Sequence, residues 1–437
     1  MKFIIWFVGY FFFAFFVVPD YGVFDAGFVP FVCICISVFW LSYFSSSATQ
    51  NLIAITYWVF VYLFIIIAGI SQQTSFGFPW LDYYGEGVIL NAWLLLLMST
   101  LVTSASFGVF RADALDIQSY SIDSRRLSFL LVFSAIVTFI CMMLLGGVGV
   151  LFVAREEVFR SLDGALSKNM MLIAGLRVPL FITSLIYFDR LLSGLKSDET
   201  RNLPIVGTLV LVLITLVINN PISTPRFWFG CVFLSYLFVF IMRINLKISL
   251  NWLVSSMLLF SIVIVFPLAD FFRRSTDGDI ISFVRNNNFG STIFVSPNFD
   301  AFQQLMNTMV VVSIEGCRYG MQIVSAFLFW VPRSIWPEKA FGSGQFVAEE
   351  LNYNYTNLSS PLWAEFYLDF SWIGVFIISV AIGFFLKFSS LLASKNYIAV
   401  LAFFAAYQTY FLRGSLISTL PFLFLAIACF YYVKKRD

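Results

Sequence analysis

The chain of 437 residues contains no histidine. That absence removes the usual imidazole general base and the commonest ligand of zinc and haem sites. Charge is scarce too: Asp, Glu, Lys and Arg make up 11% of the residues, where a soluble domain carries about a quarter. A net charge of +2 provides no basic surface for nucleic acid. The six cysteines form no disulfide framework, with Cys33, Cys35, Cys141, Cys231 and Cys429 in apolar runs and Cys317 in a polar stretch. There is no phosphate-cradling glycine loop and no nucleotide fingerprint. Neither a metal nor a cofactor is expected.

What the chain has in excess is apolar sequence, with 60% hydrophobic and 19% aromatic residues. Apolar runs long enough to cross a bilayer recur throughout, and such runs must be helical to satisfy their own backbone. The expected fold is all-α, a polytopic membrane protein of about twelve spans: 2–18, 28–46, 52–70, 88–107, 127–147, 170–188, 204–219, 226–242, 250–268, 361–386, 397–412 and 415–433. The first run could pass for a signal peptide, but no A-x-A pattern precedes Pro19, so it reads as an uncleaved span.

Lysine and arginine set the orientation. Lys2, Arg111, Arg125, Arg126, Arg190, Lys196, Arg201, Arg243, Lys247, Lys387, Lys395, Lys434, Lys435 and Arg436 fall on one side. The short loops of the other side hold only Arg155, Arg160, Lys168, Arg226 and Arg413. Both termini are therefore expected in the cytoplasm. One outer connection, 270–360, is far longer than any other and is not low-complexity. Within it, 301–331 has apolar positions at helical spacing around Glu315 and Arg318, which predicts one or two helices on the outer membrane face. No internal repeat is visible, unlike many transporters.

On the outer side nearly every cation is arginine, with only Lys168 and Lys339 as exceptions. Arginine suits forked recognition of phosphate or carboxylate. Arg177 in GLRVPLF lies within a span, where snorkelling or internal pairing is the alternative to ligand binding. Arg226 follows NNPISTP, Arg413 opens RGSL, Arg155 and Arg160 sit in VAREEVFRSL, and Arg273 and Arg274 end the ninth span. Singly, each could be a headgroup anchor; together they suit a diphosphate at the outer leaflet. In NLSSPLWAEFYLDFSWIG, Ser360 is a candidate N-cap and Pro361 a first helical residue. Glu365 and Asp369 then share one face of the first two turns. They are either favourable charge at a helix N-terminus or a carboxylate of raised pKa able to accept a hydroxyl proton.

These stretches resemble the Wzy-type polymerases, bacterial membrane enzymes that join lipid-linked oligosaccharide repeat units. EGCRYG followed by FWVPRSIWPEKAFGSG is similar to the family's arginine–glycine and P-[RS]-x-x-W-P-x-[KR] pattern in its large periplasmic loop. AEFYLDFSWIGVF (364–376) resembles its G-E-A-Y-x-x-F-G-x-x-G stretch, with Ala364 and Ser371 in place of glycines. STPRFWFG resembles its G-x-R motif, FLRGSL its R-[EG] motif, and Arg333 with Gly344 fits an R-x10-G spacing.

The resemblance implies a fold like the class C glycosyltransferases in the bacterial inner membrane, with the active site facing the periplasm. The growing chain would pass from undecaprenyl diphosphate to the non-reducing end of a new undecaprenyl-diphosphate-linked unit, making O-antigen or a related polysaccharide. A copolymerase that sets chain length is the implied protein partner. On this reading Arg155, Arg160, Arg177, Arg226 and Arg413 bind diphosphate. Glu365 is the general base, with Glu315 and Asp369 as rivals. Arg318, Arg333, Lys339, Trp336, Arg273 and Arg274 serve a loop that closes on sugar or phosphate. A lipid-linked oligosaccharide flippase and an O-antigen ligase are the competing readings. The flippase would be expected to keep its charge along a central cavity, and the ligase to carry a histidine in its long loop.

Overall fold

The computed structural model describes residues 2–18, 25–46, 51–74, 77–80, 84–110, 119–153, 166–194, 205–244, 256, 291–356, 358–395 and 397–435. Their helices are α1 (Lys2–Val17), α2 (Phe28–Ser46), α3 (Leu52–Thr74), α4 (Glu86–Val109), α5 (Ser124–Leu144), α6 (Leu166–Gly194), α7 (Ile205–Ile218), α8 (Arg226–Arg243), α9 (Ala301–Glu315), α10 (Met321–Phe327), α11 (Ser343–Glu350), α12 (Leu362–Ser394), α13 (Ile398–Arg413) and α14 (Leu416–Val433). No β-strand occurs among the described residues. Eight helices there are long and apolar enough to cross a bilayer: α2, α3, α4, α5, α6, α8, α12 and α14. This is the architecture of a multi-pass membrane protein. Helices α1, α7 and α13 are apolar but shorter, and of the expected span 250–268 only residue 256 is described.

The chain divides into two compact units. The first comprises 1–112, 248–319 and 343–390. At its centre is α3, apolar on every side up to its last turn and buried at every residue but Gln73, as an all-round hydrophobic helix must be. Its middle turn, Val61–Ile67, widens to a π-helix. Small residues let α4 and α12 meet closely. Ser99 and Ser379 share a hydrogen bond of 2.8 Å, and Thr103 Oγ1 donates to the Ser379 carbonyl at 3.2 Å. A Cβ on Gly383 would come within 2.6 Å of the Thr103 carbonyl oxygen.

Helix α9 also belongs to this core. Residues Ala301 to Met309 are all buried, including the polar stripe Gln303, Gln304, Asn307 and Thr308. Gln303 hydrogen-bonds the backbone of Trp80 through both its amide oxygen and its nitrogen. Asn307 accepts from the Tyr84 hydroxyl and donates to that of Tyr353. The helix expected on the outer face is thus packed within this unit, where partners from distant segments meet Gln303 and Asn307 of its polar stripe.

The second unit comprises 113–247, 320–342 and 391–437. Here α6 packs against α5, α7, α8 and α14, while α8 pairs with α13. Arg243 at the end of α8 donates to Asp189 of α6 at 2.6 Å, both side chains being largely buried. Helix α10 ends at Phe327, five residues before Pro332. Phe327 and Phe329 then rest on Phe424 of α14.

Candidate functional site

The residues picked out by sequence fall into both units. Glu315, Arg318, Glu365 and Asp369 are in the first; Arg177, Arg226, Arg333, Trp336, Lys339 and Arg413 are in the second. Arg155, Arg160, Arg273 and Arg274 lie outside the described residues.

In the second unit the segment NNPISTP folds into a stiff turn before α8. The Asn220 side-chain oxygen accepts from the backbone N–H of Ile222 and Ser223 at 2.9 and 3.1 Å. Asn219 accepts from the buried indole of Trp228 at 2.7 Å. These bonds hold the Ser223 carbonyl still, and the guanidinium of buried Arg177 donates to it at 2.7 Å. Three residues later Arg226 opens α8. Arg413, the last residue of α13, places its guanidinium 4.6 Å from the ring centre of Phe227. Residues 223–227 thus connect Arg177, Arg226 and Arg413 at one end of the α8–α13 pair. The sequence picked out the three arginines but not the asparagines that fix the turn.

The loop after α10 is engaged with itself. Lys339 is buried and its ammonium donates to the carbonyls of Phe329 and Val331 at 2.8 and 2.9 Å. Arg333 donates to the Ala340 carbonyl at 3.1 Å and lies 3.8 Å from the Phe341 ring centre. Burial lowers the pKa of both cations, and for Lys339 the charge of Arg333 adds to it. Their visible work is to fold WVPRSIWPEKAF upon itself. Trp336 is half-buried in the same loop and Trp330 is half-exposed. The loop ends against FLRGSL: a Cβ on Gly342 would lie 3.4 Å from the Ser415 hydroxyl.

In the first unit Glu365 and Asp369 are buried, at 1% and 0% exposure, whereas Glu315 and Arg318 are exposed. Helix α12 starts as the motif suggests, shifted by one residue. The Pro361 carbonyl accepts from the N–H groups of Ala364 and Glu365, so Pro361 stands at the cap. The helix then breaks. Phe370 and Ser371 leave helical geometry, Ser371 with φ 53° and ψ −139°. The break frees carbonyls from intrahelical bonding, and the segment EGCRYG answers two of them. The Arg318 N–H donates to Leu368 at 2.9 Å, and the Tyr319 N–H to Asp369 at 3.0 Å. Positive φ at Gly316, Tyr319 and Gly320 gives the segment the curvature this needs. The Arg318 guanidinium lies 4.6 Å from the Phe346 ring centre of α11.

Two close approaches complete the arrangement. A Cβ on Gly374 would meet the Phe366 carbonyl oxygen at 2.1 Å, and one on Gly344 the Leu358 carbonyl oxygen at 2.3 Å. With Gly344 seated there, neighbouring Ser343 is buried and its hydroxyl donates to Glu365 Oε2 at 2.5 Å. Ser343 escaped the sequence reading, since one serine in FGSGQF carries no signal of a partner 22 residues on. Among the described residues no group of three His, Cys, Asp or Glu side chains is placed to hold a metal ion.

No family model matches this chain, and neither does any curated protein or solved structure.

Proposed function

We propose that the chain is a Wzy-type polymerase of undecaprenyl-diphosphate-linked repeat units. On this proposal it has twelve spans, a fold related to the class C glycosyltransferases, both termini in the cytoplasm and the active site at the outer face of the bacterial inner membrane. The observation that carries the reading is the linkage of Arg177, Arg226 and Arg413 through residues 223–227. An arginine in the first turn works against the helix macrodipole, so helix electrostatics give no reason for Arg226. A dianionic ligand does, because it is attracted both to the guanidinium and to the amide groups at the start of the helix.

The chemistry runs without a metal. A hydroxyl oxygen of the acceptor sugar attacks the anomeric carbon of the donor chain. The bond from that carbon to the diphosphate oxygen breaks, and undecaprenyl diphosphate leaves with the electron pair. The leaving group needs positive charge rather than a proton, and the arginines supply it. The acceptor hydroxyl loses its proton to Glu365, which is preferred over exposed Glu315 because a carboxylate held in a buried site is better oriented. Asp369 is the second candidate. Lys339 and Arg333 are assigned to holding the loop, and a chain-length copolymerase remains the proposed partner.

Genetics in the native host tests this. Deletion should leave a single repeat unit on the lipid A core. Complete loss of surface repeat points to the flippase, and accumulated lipid-linked polymer points to the ligase. Arg226→Ala and Arg413→Ala should each abolish the polymer ladder at wild-type protein level. A normal ladder from both would sink the diphosphate assignment.

A further inference from the structure

Two features around Ser343 go beyond the residues assigned above, and they bear on the polymerase reading. The Ser343 hydroxyl is buried and 2.5 Å from Glu365 Oε2. The turn of α11 that carries it is in tight contact with the segment that leads into α12. The glycine after it, Gly344, stands where a Cβ would meet the Leu358 carbonyl oxygen at 2.3 Å and that of Ser359 at 3.1 Å. A Cβ at 344 would therefore force the first turn of α11 and the 358–359 backbone apart.

We infer that Ser343 is a positioning residue for Glu365, and this inference rests on Glu365 being the base of the proposed polymerase. A carboxyl group on a buried first turn has rotamers that point its oxygens in quite different directions. A hydroxyl donor on one oxygen selects one of them. The serine is not itself consumed. In the transfer step the acceptor O–H bond breaks and its proton goes to the Glu365 carboxylate, while Ser343 keeps its own proton throughout. The proton later leaves Glu365 for water.

The test uses the full-length protein in detergent, with lipid-linked repeat units extracted from the deletion strain as substrate. Ser343→Ala should lower kcat about tenfold or more with KM unchanged, the scale of one lost hydrogen bond to a charged group. Ser343→Thr, which keeps the hydroxyl, should recover most of the rate. In a Glu365→Gln background, Ser343→Ala should cost nothing further, because both changes disable one unit. If Ser343→Ala lowers the melting temperature, Ser343→Cys keeps one heavy atom beyond Cβ while weakening the donor, and should show the same kcat loss at native stability. A wild-type kcat in Ser343→Cys, or equal losses from Ser343→Ala with and without Glu365, would overturn the inference and leave the polymerase reading intact. No polymer from the wild-type protein would overturn both.

Discussion

Ser371 occupies a backbone region (φ 53°, ψ −139°) that is open to glycine and crowded for any side chain. The motif it resembles has glycine there, so the departure noted in the sequence sits at the most strained point of α12. Ser371→Gly should raise the melting temperature by an amount equivalent to about 1 kcal/mol, because it removes a Cβ clash that strained non-glycine residues carry. Thermal unfolding followed by tryptophan fluorescence would show this, and a lowered midpoint would contradict it. The glycines nearby have the opposite character. Gly374→Ala forces a methyl onto the Phe366 carbonyl and should destabilise by about 1–3 kcal/mol, the usual cost of overpacking. At the same scale Arg177 illustrates how a buried cation is tolerated: a carbonyl fixed by Asn220 receives it. The sequence located the cation but not its acceptor.

Among the elements, the joint between EGCRYG and α12 depends on main chain. Arg318→Pro deletes the N–H that serves Leu368 and should cost about 1–3 kcal/mol for the unsatisfied carbonyl. Arg318→Ala keeps that bond and should cost less, and comparing the two melting temperatures separates backbone from side chain. The ion pair at the other end of α8 makes a second case. Arg243→Ala strands the buried Asp189 carboxylate and should destabilise by roughly 3–5 kcal/mol, as broken buried pairs do. A melting temperature equal to that of the parent would contradict it.

Element boundaries were largely legible. Phe28–Ser46, Arg226–Arg243 and Leu416–Val433 fall within a residue or two of their sequence readings, because polar punctuation such as NNPISTP and RGSL marks their ends. The break in α12 was not legible. FSWIG continues an apolar run, and serine is no recognised breaker of helices. The burial of α9 was likewise hidden, since Gln303, Gln304, Asn307 and Thr308 on one face look like a solvent face until Trp80, Tyr84 and Tyr353 are seen to meet part of it. Periodicity tells which residues share a face, not what that face will touch.

For the molecule as a whole, the positive-inside rule makes a sharp expectation about orientation. Reporter fusions should place residue 437 and the 195–204 connection in the cytoplasm, and residues 330–342 outside. An externally active reporter at the C-terminus would reverse the topology and remove the arginines from the outer face. Composition and the recurrent apolar runs were enough for the membrane class, since a soluble domain carries about a quarter of charged residues and runs of that length span a bilayer. The two-unit organisation was beyond reach, because both units are woven from distant stretches: 343–390 belongs with the first hundred residues, while 320–342 belongs with 113–247.

The joint at Leu368 and Asp369 has one further consequence. It is built from amide hydrogens, which every residue except proline possesses. Cys317 and Arg318 could therefore be exchanged, over evolutionary time, for many other residues while the two bonds persist, and Tyr319 for those that accept its positive φ. A protein assembled in this way can keep its architecture as its lettering drifts, and comparison by side-chain identity would lose sight of it long before the architecture changed.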